Sequence, residues 1–128
     1  MMSDSLTVEK IEGLISEHPL VHSCVVVGEA ESFYSVLVSP DKANLIQTLR
    51  DDNPNFKCNF DSYQSMNRIE VRSYFCDLLE QVNAQLKERR IERFVLLNLD
   101  KSKSRDAICA DNTIIIESFY QEYIAGVG

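Results

Sequence analysis

Apolar positions change their spacing along the chain, and the clearest change lies between residues 67 and 99. Val71, Phe75, Leu78, Val82 and Leu86 recur at intervals of three or four residues, which predicts one face of an α-helix. Arg72, Asp77, Glu80, Gln81 and Lys87 fall on its other face. The period then breaks. Phe94-Val95-Leu96-Leu97 is an apolar run too short for a helix and of the right length for a buried strand. Residues 87–93 between them are densely charged and read as a turn. A helix therefore lies against a sheet, and this one segment supplies part of both layers.

The remaining elements follow by the same reasoning. Thr7 is a helix N-cap, Glu9 lies in the first turn, and Val8, Ile11, Leu14 and Ile15 mark an apolar face. Pro19 ends that helix and disfavours helical geometry at His18. Residues 21–27 read as a strand, 28–32 as a short turn and 33–39 as the return strand of a β-hairpin. In the return strand, Phe33, Ser35 and Leu37 share one face, and Tyr34, Val36 and Val38 share the other. Residues 43–50 predict a short helix with Leu45, Ile46 and Leu49 inward. Residues 51–67 are polar and read as a surface loop or insertion, whose Phe56, Phe60 and Tyr63 pack back on the domain or form a contact site. Residues 100–112 read as a second loop. The last element, 113–124, has Thr113 as N-cap and Ile116, Phe119, Tyr120 and Tyr123 at helical spacing. Its β-branched start, Ile114-Ile115-Ile116, also suits a strand. Residues 125–128 are expected to fray. The order α-β-β-(α)-α-β-α predicts an α+β fold: a small sheet built on a β-hairpin plus a third strand, covered by helices. Residues 1–128 form one domain, without repeats or linkers.

Composition narrows the function. The 128 residues carry a net charge of −7, which disfavours nonspecific binding to nucleic acid or to an anionic membrane. The basic cluster at 87–93 is offset by Glu88 and Glu92 and reads as a solvated turn. Cys24, Cys58, Cys76 and Cys109 are far apart, with no zinc spacing. Cys24, in a strand, and Cys76, beside the apolar helix face, are expected to be buried thiols. His18 and His22 are separated by Pro19 and cannot share a helical face as a metal pair would. Asp51-Asp52 lie in a polar loop and are expected to be solvated. No local Ser/His/Asp or Cys/His arrangement and no glycine-rich phosphate loop is present, so a self-contained enzyme is not expected. No apolar signal region opens the chain and no stretch approaches membrane-spanning length, so the expected location is cytoplasmic.

The motif series resembles the small C-terminal domain of adenylate-forming enzymes, the acyl-CoA synthetases and fatty acyl-AMP ligases, most closely the long-chain acyl type. Thr7-Val8-Glu9-Lys10-Ile11-Glu12 is similar to the family's opening helix. His18-Pro19-Leu20-Val21 leads to Val25-Val26-Val27-Gly28-Glu29, and Val38-Ser39-Pro40-Asp41 ends the return strand as in the family. Val82-Asn83-Ala84-Gln85-Leu86, then Arg93-Phe94-Val95-Leu96-Leu97, resemble its helix end and following strand. The match covers residues 7–99. It implies a mobile lid that works with a large adenylation domain or subunit, and with an acyl carrier protein as a further partner. ATP and a pantetheine thiol would bind only when that large domain is joined; no cofactor or metal is expected on this chain alone. A family lysine on the last loop contacts the acyl phosphate oxygens, where a cation stabilises developing negative charge. The Thr-Gly-Lys signature around it is not matched here. Aligned from the strand, that lysine falls near Lys103 or Arg105; aligned back from Ile116 and Tyr120, it falls near Ala110. Lys103 and Lys101 are therefore the candidate catalytic residues, with solvated loop lysines as the other reading. Three functions remain: a lid of, or separate subunit for, an acyl-activating enzyme; a free-standing, catalytically degenerate relative that binds or regulates a partner; or an unrelated α+β ligand-binding domain.

Overall fold

Every residue of the return strand is buried, because the sheet has three strands and this is the middle one. The computed structural model describes residues 7–56, 62–87 and 89–127, with backbone alone for 63, 64 and 122–127. Its elements are α1 (Val8–Ser16), β1 (Val21–Val27), β2 (Tyr34–Pro40), α2 (Lys42–Asp52), α3 (Tyr63–Met66), α4 (Ile69–Asn83), β3 (Ile91–Leu96), α5 (Arg105–Asp111) and α6 (Thr113–Val127). β1 runs antiparallel to β2, and β3 runs parallel to it on the other side. This is the predicted α+β order, with two short helices, α3 and α5, added in segments read as loops.

Helices cover both faces of the sheet. On one face Tyr34, Val36 and Val38 pack against the apolar stripes of α1, α2 and α4. The predicted α4 stripe is buried at Val71, Phe75, Leu78 and Val82, joined by Leu79. On the other face Val25, Val27, Leu37 and Val95 pack against Ile108 of α5 and Phe119 of α6. A side-chain period of two would turn Val21 and Ile91 away from the first face. Each strand absorbs one extra residue, at His22 and at Glu92, and the two side chains point into the core after all. The bulge explains why β3 begins inside a segment that reads as a charged turn.

Among the described residues the outer edges of β1 and β3 have no neighbouring strand, and side chains take its place. Asn83, at the end of α4, donates to Ile91 O (3.0 Å) and accepts from Ile91 N–H (2.7 Å). Asn67, before α4, donates to Leu96 O (2.9 Å) and accepts from Leu96 N–H (3.0 Å). Arg72, between them, donates to Phe94 O (3.2 Å) and lies 4.0 Å from the centre of the Phe94 ring. At β1, Glu12 accepts from Val26 N–H (2.7 Å) and Arg105 donates to Val26 O. Unpaired strand edges invite further pairing, and these contacts occupy them.

Caps fix several boundaries. Thr7 accepts from Lys10 N–H (3.3 Å) and Asp41 from Asn44 N–H (3.0 Å). Several expectations for the last helices are corrected. Residues 105–111 are helical, capped by Ser104, which accepts from Ala107 N–H (3.1 Å). Thr113 is not an N-cap; its hydroxyl donates back to the α5 carbonyls of Cys109 (3.2 Å) and Ala110 (3.0 Å). The Ile114-Ile115-Ile116 run is helical, not a strand, and the α6 backbone is helical to Val127 where fraying is expected.

Replacing Asn83 by Ala strands the buried N–H and C=O of Ile91. Each unpaired buried group costs about 1–3 kcal/mol. Asn83→Ala is expected to lower the unfolding free energy by about 2–4 kcal/mol in urea titrations; a change near zero would show that the clamp holds nothing.

Candidate functional site

The chain leaves β3 still attached to β2. Leu97 N–H bonds to Val38 O (2.8 Å) and Leu99 N–H to the Ser39 hydroxyl (3.3 Å). Asp100 then closes a tight turn by accepting from the N–H (2.9 Å) and the hydroxyl (2.6 Å) of Ser102. Those bonds hold the Asp100 carboxyl below its usual range. Lys101 and Lys103 stand exposed on this turn. Lys103 Nζ bonds Asp111 Oδ2 at 2.6 Å, and this bond raises its pKa above the ordinary lysine value.

Arg105, the other cation that the sequence places near the family lysine, has different surroundings. Its Nε donates to Glu12 Oε2 (3.1 Å) while Nη2 reaches Val26 O. Burial pulls its pKa down, but the hydrogen bond and charge of Glu12 outweigh that and the net shift is upward. A cleft of about 190 Å³ brings Lys101, Lys103 and Arg105 to the same place as Glu12 and Cys24. The Cys24 thiol donates to Glu12 O (3.5 Å) and lies 3.6 Å from the Ser16 hydroxyl. Burial pushes its pKa from 9.0 up to about 11. Glu12, Lys103 and Arg105 in the cleft are thus already engaged, and Lys101 and Lys103 are its exposed cations.

Other sequence candidates are not gathered here. His18 accepts from Leu20 N–H (3.2 Å) in the α1–β1 turn, and His22 is the exposed bulge residue of β1. Asp51 accepts from Gln47 (2.8 Å), and Asp52 accepts from the Tyr74 hydroxyl and raises its pKa. Among the described residues no group of three or more His, Cys, Asp or Glu could hold a metal ion. Phe56 packs partly buried against the core, with Arg68 5.3 Å from its ring centre. Phe60, Cys58 and the Tyr63 side chain lie outside the described residues.

Two readings from sequence are corrected. Cys76 is exposed, because it sits one residue, and so a quarter-turn or more, past the buried Phe75. The basic cluster is not a solvated turn throughout. Arg89 donates to the carbonyls of Gly28 (3.0 Å), Glu29 and Glu31 (2.9 Å), donates to Tyr34 Oη (3.1 Å) and stacks on the Tyr34 ring. It fixes the hairpin loop from the α4 side. From the α6 side, Tyr120 donates to Phe33 O (3.1 Å), accepts from Ser35 (3.1 Å) and stacks on Phe33 at 4.8 Å. Gly28 adopts φ +100°, and a Cβ there would meet the Tyr120 hydroxyl and Phe33 O, so no side chain fits.

The fold is a three-stranded sheet between two helical layers. It is similar to three solved structures. One is the A-PCP didomain of carboxylic acid reductase from Segniliparus rugosus in complex with AMP (TM-score 0.64, 17% identity, covering 91% of this chain and 16% of that one). The second is the adenylation domain of the carboxylate reductase from Mycobacterium chelonae (0.64, 18%, covering 91% and 18%). The third is the A domain of the Segniliparus rugosus enzyme with AMP and a co-purified carboxylic acid (0.62, 14%, covering 92% and 18%). At these identities the likeness is one of fold, and the chain spans 16–18% of the length of those proteins. No family model and no curated protein matches the chain. No helix among the described residues is long and apolar enough to cross a membrane.

Thiol chemistry checks the cleft. At neutral pH maleimide is expected to modify Cys76 in the native protein and to spare Cys24 until unfolding, as read by peptide mass spectrometry. The folded pKa of Cys24 lies above the ordinary thiol value, so its contribution to stability is complete below pH 9 and is lost as pH rises to about 11. Over that window wild type should lose about 2–3 kcal/mol more stability than Cys24→Ala. Parallel stability curves would place the thiol in water.

Proposed function

We propose that the chain is the small lid domain of an ATP-dependent acyl-activating enzyme, or a separate subunit that completes one, and that it does not activate a carboxylate alone. The observation that carries this reading is the asymmetry of the structural match: 91–92% of this chain against 16–18% of longer chains that are adenylation domains. The partner is then a large adenylation domain or subunit, with ATP and a pantetheine thiol bound only in the assembly and an acyl carrier protein as acceptor. Lys103, with Lys101 beside it, supplies the cation for the acyl phosphate oxygens. Its bond to Asp111 does not prevent this, because both side chains are about half exposed. Such an exposed pair is worth little, so a phosphate can displace the carboxylate at little cost.

A specific observation favours a second reading, that of a free-standing degenerate relative. Ile116 and Tyr120 pack on the sheet side of α6, which supports the register that places Ala110 where the family has its lysine. In that reading the chain keeps the fold and binds a partner without contributing to chemistry.

Two measurements separate these readings. Blotting source cells with an antibody to this domain should show a band far larger than a 128-residue chain, or a chain of this size that co-purifies with a subunit catalysing ATP–pyrophosphate exchange. A small band without such a subunit overturns the lid reading. In the assembled enzyme Lys103→Ala should slow acyl-adenylate formation, trapped as hydroxamate, by about 10²-fold. Unchanged kinetics would remove Lys103 from the mechanism.

A further inference from the structure

A second cleft, of about 440 Å³, opens between the hairpin loop and α6, on the side of the sheet that carries Tyr120. Half-buried Ile116 and Tyr120 form its apolar floor, and exposed Glu29, Glu31 and Glu117 stand around it. No cation among the described residues pairs with these three carboxylates. Arg89, the cation bound to this loop, lies over Tyr34 on the opposite face of the sheet, and its N–H groups are directed at the loop carbonyls and the Tyr34 hydroxyl. The loop is held from both faces, by Arg89 and by Tyr120, so the cleft is formed before anything enters it. Ile114, 83% exposed, lies about one turn before Glu117 on the same helix, outside the lining of the cleft.

We propose that this cleft docks a basic peptide segment of a partner protein, with one apolar side chain on the Ile116–Tyr120 floor and flanking Lys or Arg residues against Glu29, Glu31 and Glu117. Charge complementarity selects this occupant. The carboxylates outnumber the loop's one cation, and the chain as a whole carries −7, so nucleic acid and anionic membrane are repelled. The apolar floor adds what charge alone lacks, an anchor that fixes register. This inference does not rest on the acyl-activation reading.

The test uses the 128-residue chain and fluorescein-labelled synthetic peptides read by anisotropy. A short Lys-Leu-Lys repeat peptide should bind with a Kd of roughly micromolar order, and a Lys-Ser-Lys peptide of equal charge should bind at least roughly tenfold more weakly. Glu29→Gln/Glu31→Gln/Glu117→Gln should weaken the Leu peptide by roughly tenfold. Glu9→Gln/Glu17→Gln/Asp77→Asn, which removes the same charge from exposed sites elsewhere, should leave it unchanged. Amide shifts on titration should cluster at residues 28–32 and 114–121. Urea midpoints of both triple variants check that they fold. Equal weakening by the two triple variants, equal binding of the two peptides, shifts elsewhere or no binding would each overturn the proposal.

Discussion

A sheet of three strands has as many edge strands as a sheet can have for its size, and closing those edges is the constraint on which this structure depends. β2 has both edges paired and both faces covered, so it needs nothing further. β1 and β3 each present one row of backbone groups to whatever lies beside them. At β3 the partners come from a single helix and its approach: Asn67, Arg72 and Asn83 grip Leu96, Phe94 and Ile91. Two asparagines bonded in this way act as a strand would, each with one donor and one acceptor to one residue. The clamp thereby sets the lateral position of α4, and the apolar stripe of α4 then fills the core beneath it.

At β1 the closure comes from two helices that are remote in sequence. Glu12 of α1 and Arg105 of α5 bond the two sides of the Val26 peptide and also each other. Because α1 covers one face of the sheet and α5 the other, this ion pair also ties the two helical layers together around the edge. The pair is mostly shielded, with Glu12 at 19% and Arg105 at 33% side-chain exposure, so removing either partner would leave the other charge poorly solvated. The outer edge of the hairpin is therefore closed at Val26 by side chains.

Elements with a strong period were legible in the sequence. The four-three spacing of α4 from Val71 to Val82 and the capped start of α1 appear as read, because each helix buries one face; the predicted stripe overran the helix end at Asn83 by including Leu86, and β2 is buried on both faces. Two kinds of feature were not legible. The first is a shift in period: bulges at His22 and Glu92 return Val21 and Ile91 to the core, and an alternation rule read alone sends them outward. The second is any contact between distant residues. Helix α5 has seven residues, too few to hold by propensity, and buries only Ile108; a contact that ties it to the rest of the fold is Arg105 reaching Glu12, 93 positions away. Ser104 followed by Asp106 was the one local sign of it, a cap with an acid in the first turn. Arg89 was hidden for the same reason. Its flanking acids suggested a solvated turn, while its partners are carbonyls about sixty residues earlier.

The division of labour among the cations of residues 101–105 bears directly on function. Aligned from the strand, the family lysine falls near Lys103 or Arg105, two cations two residues apart; aligned back from Ile116 and Tyr120, it falls near Ala110. The structure gives the two cations different work. Arg105 cannot turn toward a ligand without uncovering Val26 O and stranding Glu12, so a ligand that recruited it would have to unseal the sheet edge. Lys103 is bound only to an exposed carboxylate, and releasing it disturbs no backbone group. On the proposed lid reading, the cation must move onto a phosphate and off again. Among the cations of this stretch, Lys103 and Lys101 owe little to the fold, whereas Arg105 is committed to it.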